Sequence, residues 1–425
     1  RLMSMVQNES KLKKNLTSLM GWVDERFPAT ETFEYHMSRY PAPKNFNFFY
    51  YFGVLATVVF VMQILTGIWL TMNYVSSGEG AFASVEFIMR DVEWGWLMRY
   101  MHSTGASFFF IVVYLHMYRA LMYGSYRGPR ELLWLIGMVI FVVLMAEGFA
   151  GYLLPWGNMS YWGAQVILSL AGAIPIIGED ILIWVRGDYL ISGATLSRMF
   201  AIHVILIPLV LAALVFVHIV ALHHVGSNNP DGIEIKKNKD KEGIPLDSVP
   251  FHPYYTVHDI HAIVIFLFIF CAVVFFAPEM GGFFLEKPNF VEANPLVTPE
   301  HIAPVWYYPP YYSMLRAVTY PFLGIDAKLW GLIVMFAAIL IPAALPWLDK
   351  SPVKSMRYKG TISRVMLGLL VVSFFVLGYL GVKSPTYERT LMAQIGTLVY
   401  FSYFVLMPWY TRVEKTKPEP ERVTS

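Results

Sequence analysis

Residues 99–123 read RYMHSTGASFFFIVVYLHMYRALMY, an apolar run with histidine at 102 and again at 116. It is long enough to cross a bilayer, which takes about 20 apolar residues at about 1.5 Å rise each. A second run, HVILIPLVLAALVFVH at 203–218, begins and ends on histidine. Fourteen residues bring an ideal helix to within about 40° of its starting face and climb about 21 Å; fifteen give about 60° and 22 Å. Each run therefore keeps its two histidines near one face, one toward each membrane surface. Histidine inside a span is costly and usually functional. Two such helices packed antiparallel stack two His–His pairs across the bilayer. Each pair can ligate an iron axially, leaving it six-coordinate, which suits electron transfer rather than oxygen binding. Four satisfied core histidines are the plainer alternative. Zinc would need four ligands at one point, and the spacing separates them.

The rest of the chain agrees with a membrane location. Its 425 residues are 56% hydrophobic and 15% charged, with mean hydropathy +0.50, whereas soluble domains carry about 25% charged residues. This excludes a disordered or collagen-like chain and a basic nucleic-acid binder. Eight stretches reach spanning length, at 49–75, 97–123, 131–153, 199–224, 259–278, 328–347, 362–382 and 391–411. The expected fold is an all-α integral membrane protein of eight transmembrane helices, the first four forming a di-haem four-helix bundle. Along the chain, 1–48 is an amphipathic cytoplasmic segment, 49–224 the bundle and 225–258 a cytoplasmic loop. Residues 259–411 hold four further spans, and 412–425 are expected to form an exposed, mobile cytoplasmic tail. Segment 1–48 lacks the pattern of a signal peptide, so the first span is expected to direct insertion. Loops 154–198 and 279–327 are too long to be turns, and long ordered loops often carry function. Short interfacial helices are expected at 157–170 and 176–186.

Of the 32 lysines and arginines, 23 fall on the side of the N-terminus and of the loops after even-numbered spans, among them Arg1, Lys11, Lys13 and Lys14. Positive excess marks the cytoplasmic face, here called the negative side, so both termini are expected there. The two long loops then lie on the positive side. A single cysteine, Cys271, excludes an intrachain disulfide, a cysteine-ligated iron–sulfur cluster and a C-x-x-C-H haem attachment.

Glycine spacing repeats the histidine interval. Gly53 and Gly67 in the first span, like Gly137 and Gly151 in the third, are 14 residues apart. Glycine lets a flat macrocycle approach a helix backbone. Ordinary small-residue helix packing competes with that reading, and the shared interval favours haem contact. Arg99 and Arg119 stand three residues from His102 and His116, and Arg198 stands five before His203. They can pair with haem propionates or snorkel to the interface.

Further stretches join the histidines: RYMHSTGAS at 99–107, GYLLPWGNMSYWGA at 151–164, GSNNPDG at 226–232, PFHPYY at 250–255 and ANPLVTPEHIAPVWY at 293–307. Together they resemble cytochrome b of the cytochrome bc complex, ubiquinol–cytochrome c oxidoreductase, in its fused respiratory form. The resemblance implies quinol oxidation near the positive side, with ubiquinol and ubiquinone as substrates. One electron passes to a Rieske iron–sulfur protein and then to a c-type cytochrome subunit. The other crosses through two non-covalent, bis-histidine b-type haems to a quinone-reduction site. A homodimeric complex in the lipid bilayer of a bacterial inner membrane is implied as well. His102 and His203, with Gly67 and Gly151, would hold the low-potential haem on the positive side. His116 and His218, with Gly53 and Gly137, would hold the high-potential one. The quinol site would draw on Tyr152, the segment near Gly163, Pro304, Trp306, Tyr307 and Tyr312. The quinone-reduction site would draw on His223, Ser227 and Asp259, with His258 where the family often has lysine. His36 and His261 receive no role.

Two departures from the family pattern stand out. The family's Pro-Glu-Trp-Tyr motif reads Pro304, Val305, Trp306, Tyr307 here, and valine cannot accept a proton. A quinol still needs a base within hydrogen-bond reach. Glu147, in the apolar third span and five residues before Tyr152, is the expected substitute; an acid in a water pocket or paired with another chain is the alternative. The second departure is the 15-residue interval between His203 and His218, against 14 in many relatives. A π-bulge near Pro208 can absorb the extra residue. Competing readings are another di-haem membrane cytochrome, a proton-coupled transporter and a structural anchor. A transporter would place its histidines near the midplane, and an anchor leaves four matched histidines without a purpose.

Overall fold

A computed structural model describes residues 17–424, so Arg1, Lys11, Lys13 and Lys14 of the charge argument lie outside the described residues. Among these, seven helices are long and apolar enough to cross a membrane: Phe48–Thr71, Gly95–Tyr123, Glu131–Leu153, Gly193–Val225, Phe251–Phe276, Ala327–Leu348 and Thr361–Gly381. Tyr387–Val405 and Met407–Val413 are bent by 57° and count as an eighth if taken as one span. The expected continuous span at 391–411 is thus broken, and Pro408 in the first turn of the second piece supplies the reason, having no N–H to continue the ladder.

The helix starts are written locally. Ser192 and Thr195 form a capping box ahead of Gly193, so the fourth span begins six residues before the apolar run does. Asp326 accepts from the Lys328 N–H at 2.7 Å and opens the sixth. In the fourth span the ladder changes to π-helix over Ile202–Leu206, around His203 and just before Pro208. The extra residue of the His203–His218 interval is taken up there. Outward faces carry Leu209, Phe216, Phe268 and Phe375, all exposed. Lipid tails are as apolar as these side chains, so association rests on interior packing. That interior gathers Phe110, Phe141, Val305, Tyr307, Met314, Leu377 and Tyr403.

The long loops are ordered. They contain helices Asn158–Ser169, Gly178–Arg186 and Pro309–Ala317. Three asparagines lock the two loops together. The Asn158 N–H donates to the Val291 carbonyl at 2.8 Å, and its side chain donates to the Val297 carbonyl and accepts from the Asn294 N–H. Asn289 Oδ1 accepts from the Ser160 N–H at 2.9 Å. A Cβ on Gly157 would lie 2.2 Å from Asn289 Oδ1, so the loops meet this closely only because residue 157 is glycine.

On the opposite face, strand Pro41–Pro43 pairs antiparallel with Ser248–Pro250. The C-terminal segment is docked, contrary to the mobile tail expected from composition. Arg422 pairs with buried Asp247 at 2.7 Å, Thr424 donates twice to Asp231, and Val423 is buried. Its charges have partners that sequence composition does not display.

Candidate functional site

The four span histidines meet as two pairs. The His102 and His203 ring centroids are 6.1 Å apart and those of His116 and His218 are 6.4 Å apart. Two imidazoles ligating one metal from opposite sides span about 6 Å, with bonds of about 2 Å. Each ring lies against one of the spaced glycines. A Cβ on Gly53 would come 3.3 Å from His116 Cε1, on Gly67 3.1 Å from His102 Cε1, on Gly137 3.3 Å from His218 Cε1, and on Gly151 2.4 Å from His203 Cε1. Thr66 Oγ1 is 3.0 Å from His102 Nδ1. Arg119 reaches His116 Nδ1 at 3.2 Å, and its own Nε is buried without a partner, as a site for an anionic propionate requires. Arg99 lies one turn before His102, and the Arg198 guanidinium packs against Gly187. These donors fit a bis-histidine haem at each level.

Glu147 takes an unexpected place. Its carboxylate is 3.1 Å from His203 Nδ1, and so is its main-chain carbonyl. The acid that meets Tyr152 is another one: the Tyr152 hydroxyl donates to Glu286 Oε2 at 3.0 Å. Glu286 lies in the loop after the fifth span, partly buried, and burial pushes its carboxyl up to about 7. Gly163 packs on the Tyr152 ring, where a Cβ would be 3.8 Å from Cε1. Val305 is buried in the core. Trp306 donates to Ser107 Oγ at 3.0 Å, and Tyr307 stacks on Phe110 with centroids 3.8 Å apart. Pro304 precedes them, partly buried. Tyr312 stands apart, beneath the Arg316 guanidinium at 4.8 Å.

Past the second histidine pair, His223 lies against two rings from the N-terminal segment, His36 at 5.3 Å and Tyr40 at 4.8 Å. Tyr40 Oη is 3.2 Å from Ser227 Oγ. Asp259 sits at the other end of an aromatic row formed by Tyr40, Phe251, Tyr255 and His258. His258 packs on Tyr254 at 4.6 Å.

A family model described as cytochrome b/b6/petB matches residues 37–226, and one described as cytochrome b (C-terminal)/b6/petD matches 292–401. A cytochrome b of Allochromatium vinosum is 61% identical over 413 residues, covering 96% of this chain and 99% of that protein. The chain belongs to the cytochrome b family. A cytochrome b of Rhodospirillum rubrum is 47% identical and covers 96% of each chain. A solved structure, a hyperthermophilic respiratory complex III, superposes with a TM-score of 0.85 at 38% identity, over 93% of this chain and 99% of that one. Membership of the cytochrome b family implies haem b, quinol oxidation and respiratory electron transfer, within a membrane complex that has other subunits.

Sequence reasoning missed Glu286 and His36. Glu286 is one of several acids in its loop, and its signal was local: it interrupts the apolar run GGFFLEKPNF at 281–290. His36 precedes the first span by a short segment, and only the fold brings it to His223.

Proposed function

We propose that this cytochrome b oxidises quinol at a positive-side site and reduces quinone at a negative-side site. Electrons divide between a Rieske iron–sulfur partner and two b haems, and the chain contributes to proton translocation in a bacterial inner membrane with both termini cytoplasmic. The observation that carries the reading is the stacking of two His–His pairs, each seated on a glycine from a neighbouring span. Bound haem supplies the one-electron chemistry. The chain's own residues supply orientation and proton handling.

At the positive side, Tyr152 and Glu286 form the proton-accepting pair, a role the sequence reading gave to Glu147. A quinol hydroxyl gives one proton to the Glu286 carboxylate, and the resulting acid releases it to water when the side chain turns outward, which restores the base for the second proton. An acid poised near neutrality suits that exchange. Trp306 and Tyr307, held by Ser107 and Phe110, keep the surroundings apolar. At the negative side, His223, Ser227 and Asp259 donate to the quinone carbonyls and deliver the two protons its reduction takes up. His36, against the His223 ring, and His258, next to Asp259, stand as relays for those protons.

The test is a reduced-minus-oxidised spectrum. Wild type is expected to show two b-type haems, and His218→Leu to lose the negative-side haem alone. A wild-type preparation of the complex without b-type absorbance overturns the reading.

A further inference from the structure

The Nδ1 partner of an axial histidine fixes the ring's tautomer and tunes its donor strength. The partners differ between the rings, and His218 Nδ1 has no hydrogen-bond partner among the described residues. His102 faces a hydroxyl, from Thr66, and His116 faces the Arg119 guanidinium. Among the described residues, His203 alone of the four is paired with a carboxylate, that of Glu147. Each level also has one arginine a single turn from a ligand, Arg99 near His102 and Arg119 near His116. Only Arg119 touches its ring, so the levels differ in two charges: a guanidinium at His116 and a carboxylate at His203.

The local backbone explains how His203 reaches it. The π-helical turn at Ile202–Leu206 contains His203. The ring lies on Gly151, where a Cβ would come 2.4 Å from Cε1. From that seat Nδ1 reaches two oxygens of one residue, the Glu147 main-chain carbonyl and its carboxylate, both at 3.1 Å. The two do different work. The carbonyl belongs to the third span's backbone and orients the ring whatever side chain residue 147 carries. The carboxylate adds negative charge to the imidazole, favouring the more positive, oxidised state of a metal it ligates.

We propose that Glu147 is a positioning residue that sets the potential of the positive-side haem: its carboxylate, 3.1 Å from His203 Nδ1, holds that level below the negative-side level and so gives electron flow across the membrane its direction. The inference rests on the haem reading above and assigns Glu147 no contact with quinol.

The experiment is redox potentiometry on the purified complex carrying Glu147→Gln and Glu147→Ala, with the two haems resolved optically and by their low-spin ferric resonance signals. In Glu147→Gln, both haems are retained. At fixed ambient potential the reduced-to-oxidised ratio of the positive-side haem rises about tenfold, which is ~59 mV for one electron, and that of the negative-side haem stays put. Glu147→Ala shifts the same haem in the same direction and keeps it bound, because the main-chain carbonyl still holds the ring. An unchanged positive-side midpoint, or an equal shift at both levels, overturns the proposal. So does loss of the positive-side haem in Glu147→Ala, which would make the side chain a structural prop. Absence of b haem from wild type defeats the underlying reading instead, so the two failures are distinguishable.

Discussion

Replacing Glu286 with glutamine tests the proton-accepting pair directly. Glutamine keeps the length of the side chain and can still accept from Tyr152, so the loop is expected to hold its place while the base is lost. A positioned general base contributes about 10²–10⁴ to rate. Burial places the Glu286 carboxyl at about 7. At about pH 7, near half of the wild-type sites then carry the base form, and each further unit of acidity removes about another factor of ten. Quinol oxidation by wild type is therefore expected to fall along an acid limb below neutrality. In Glu286→Gln the rate at pH 7 drops at least ~100-fold and the limb disappears. Tyr152→Phe gives a second, signed readout. The Tyr152 hydroxyl donates to the carboxylate and favours its charged form, so its loss moves the limb to higher pH. The assay is steady-state quinol–cytochrome c reduction by the purified complex from about pH 5 to 9, with haem content checked optically. A Glu286→Gln rate within a few-fold of wild type, with the acid limb intact, refutes the reasoning.

Gly151→Ala would place a methyl 2.4 Å from His203 Cε1, against 3.3 Å for Gly53→Ala and His116. The first is expected to lose positive-side haem absorbance, and the second to retain both haems at a packing cost of about 1 kcal/mol, each read from the difference spectrum. Between the sixth and seventh spans Lys359 and Asp349 form a buried ion pair at 2.6 Å, with the Tyr126 hydroxyl also donating to Asp349. Lys359→Met leaves the buried Asp349 carboxylate with only Arg127, 3.9 Å away, as a cationic partner among the described residues and is expected to cost up to about 3–5 kcal/mol. The double variant Lys359→Met, Asp349→Leu should lose less than that single one, as measured by thermal unfolding of the complex.

Much of the paired histidine–glycine geometry was legible because its determinants are periodic. A helix converts the intervals between His102 and His116, and between Gly137 and Gly151, into faces and depths without knowledge of neighbours. The π-turn beside Pro208 was legible for the same reason, as an interval one residue too long. The acid at Tyr152 was not. Glu147 lies five residues from Tyr152 in sequence, yet its carboxylate meets a ring from the fourth span. Glu286 is 134 residues from Tyr152 and touches it. It also lies between the two stretches that the family models match, 37–226 and 292–401. Proximity along a helix misled where the deciding contact depended on loop packing. The docked tail was missed on the same ground: its Lys, Glu and Pro read as solvated, and only the fold brings Asp247 to Arg422 and Asp231 to Thr424.

The asparagine lattice between the two long loops bears on how such a site can evolve. The Asn158 and Asn289 side chains bind main-chain groups of the facing loop, and Asn294 offers its own main-chain N–H and carbonyl to Asn158 and Trp162. Peptide groups are the same whatever residue carries them, so the side chains between these anchors are free to drift while the loops keep their register. A loop held this way can carry an acid at Glu286 and an apolar residue at Val305 on one backbone frame. The chemistry is inherited as a place in the fold, and the residue that occupies it is replaceable.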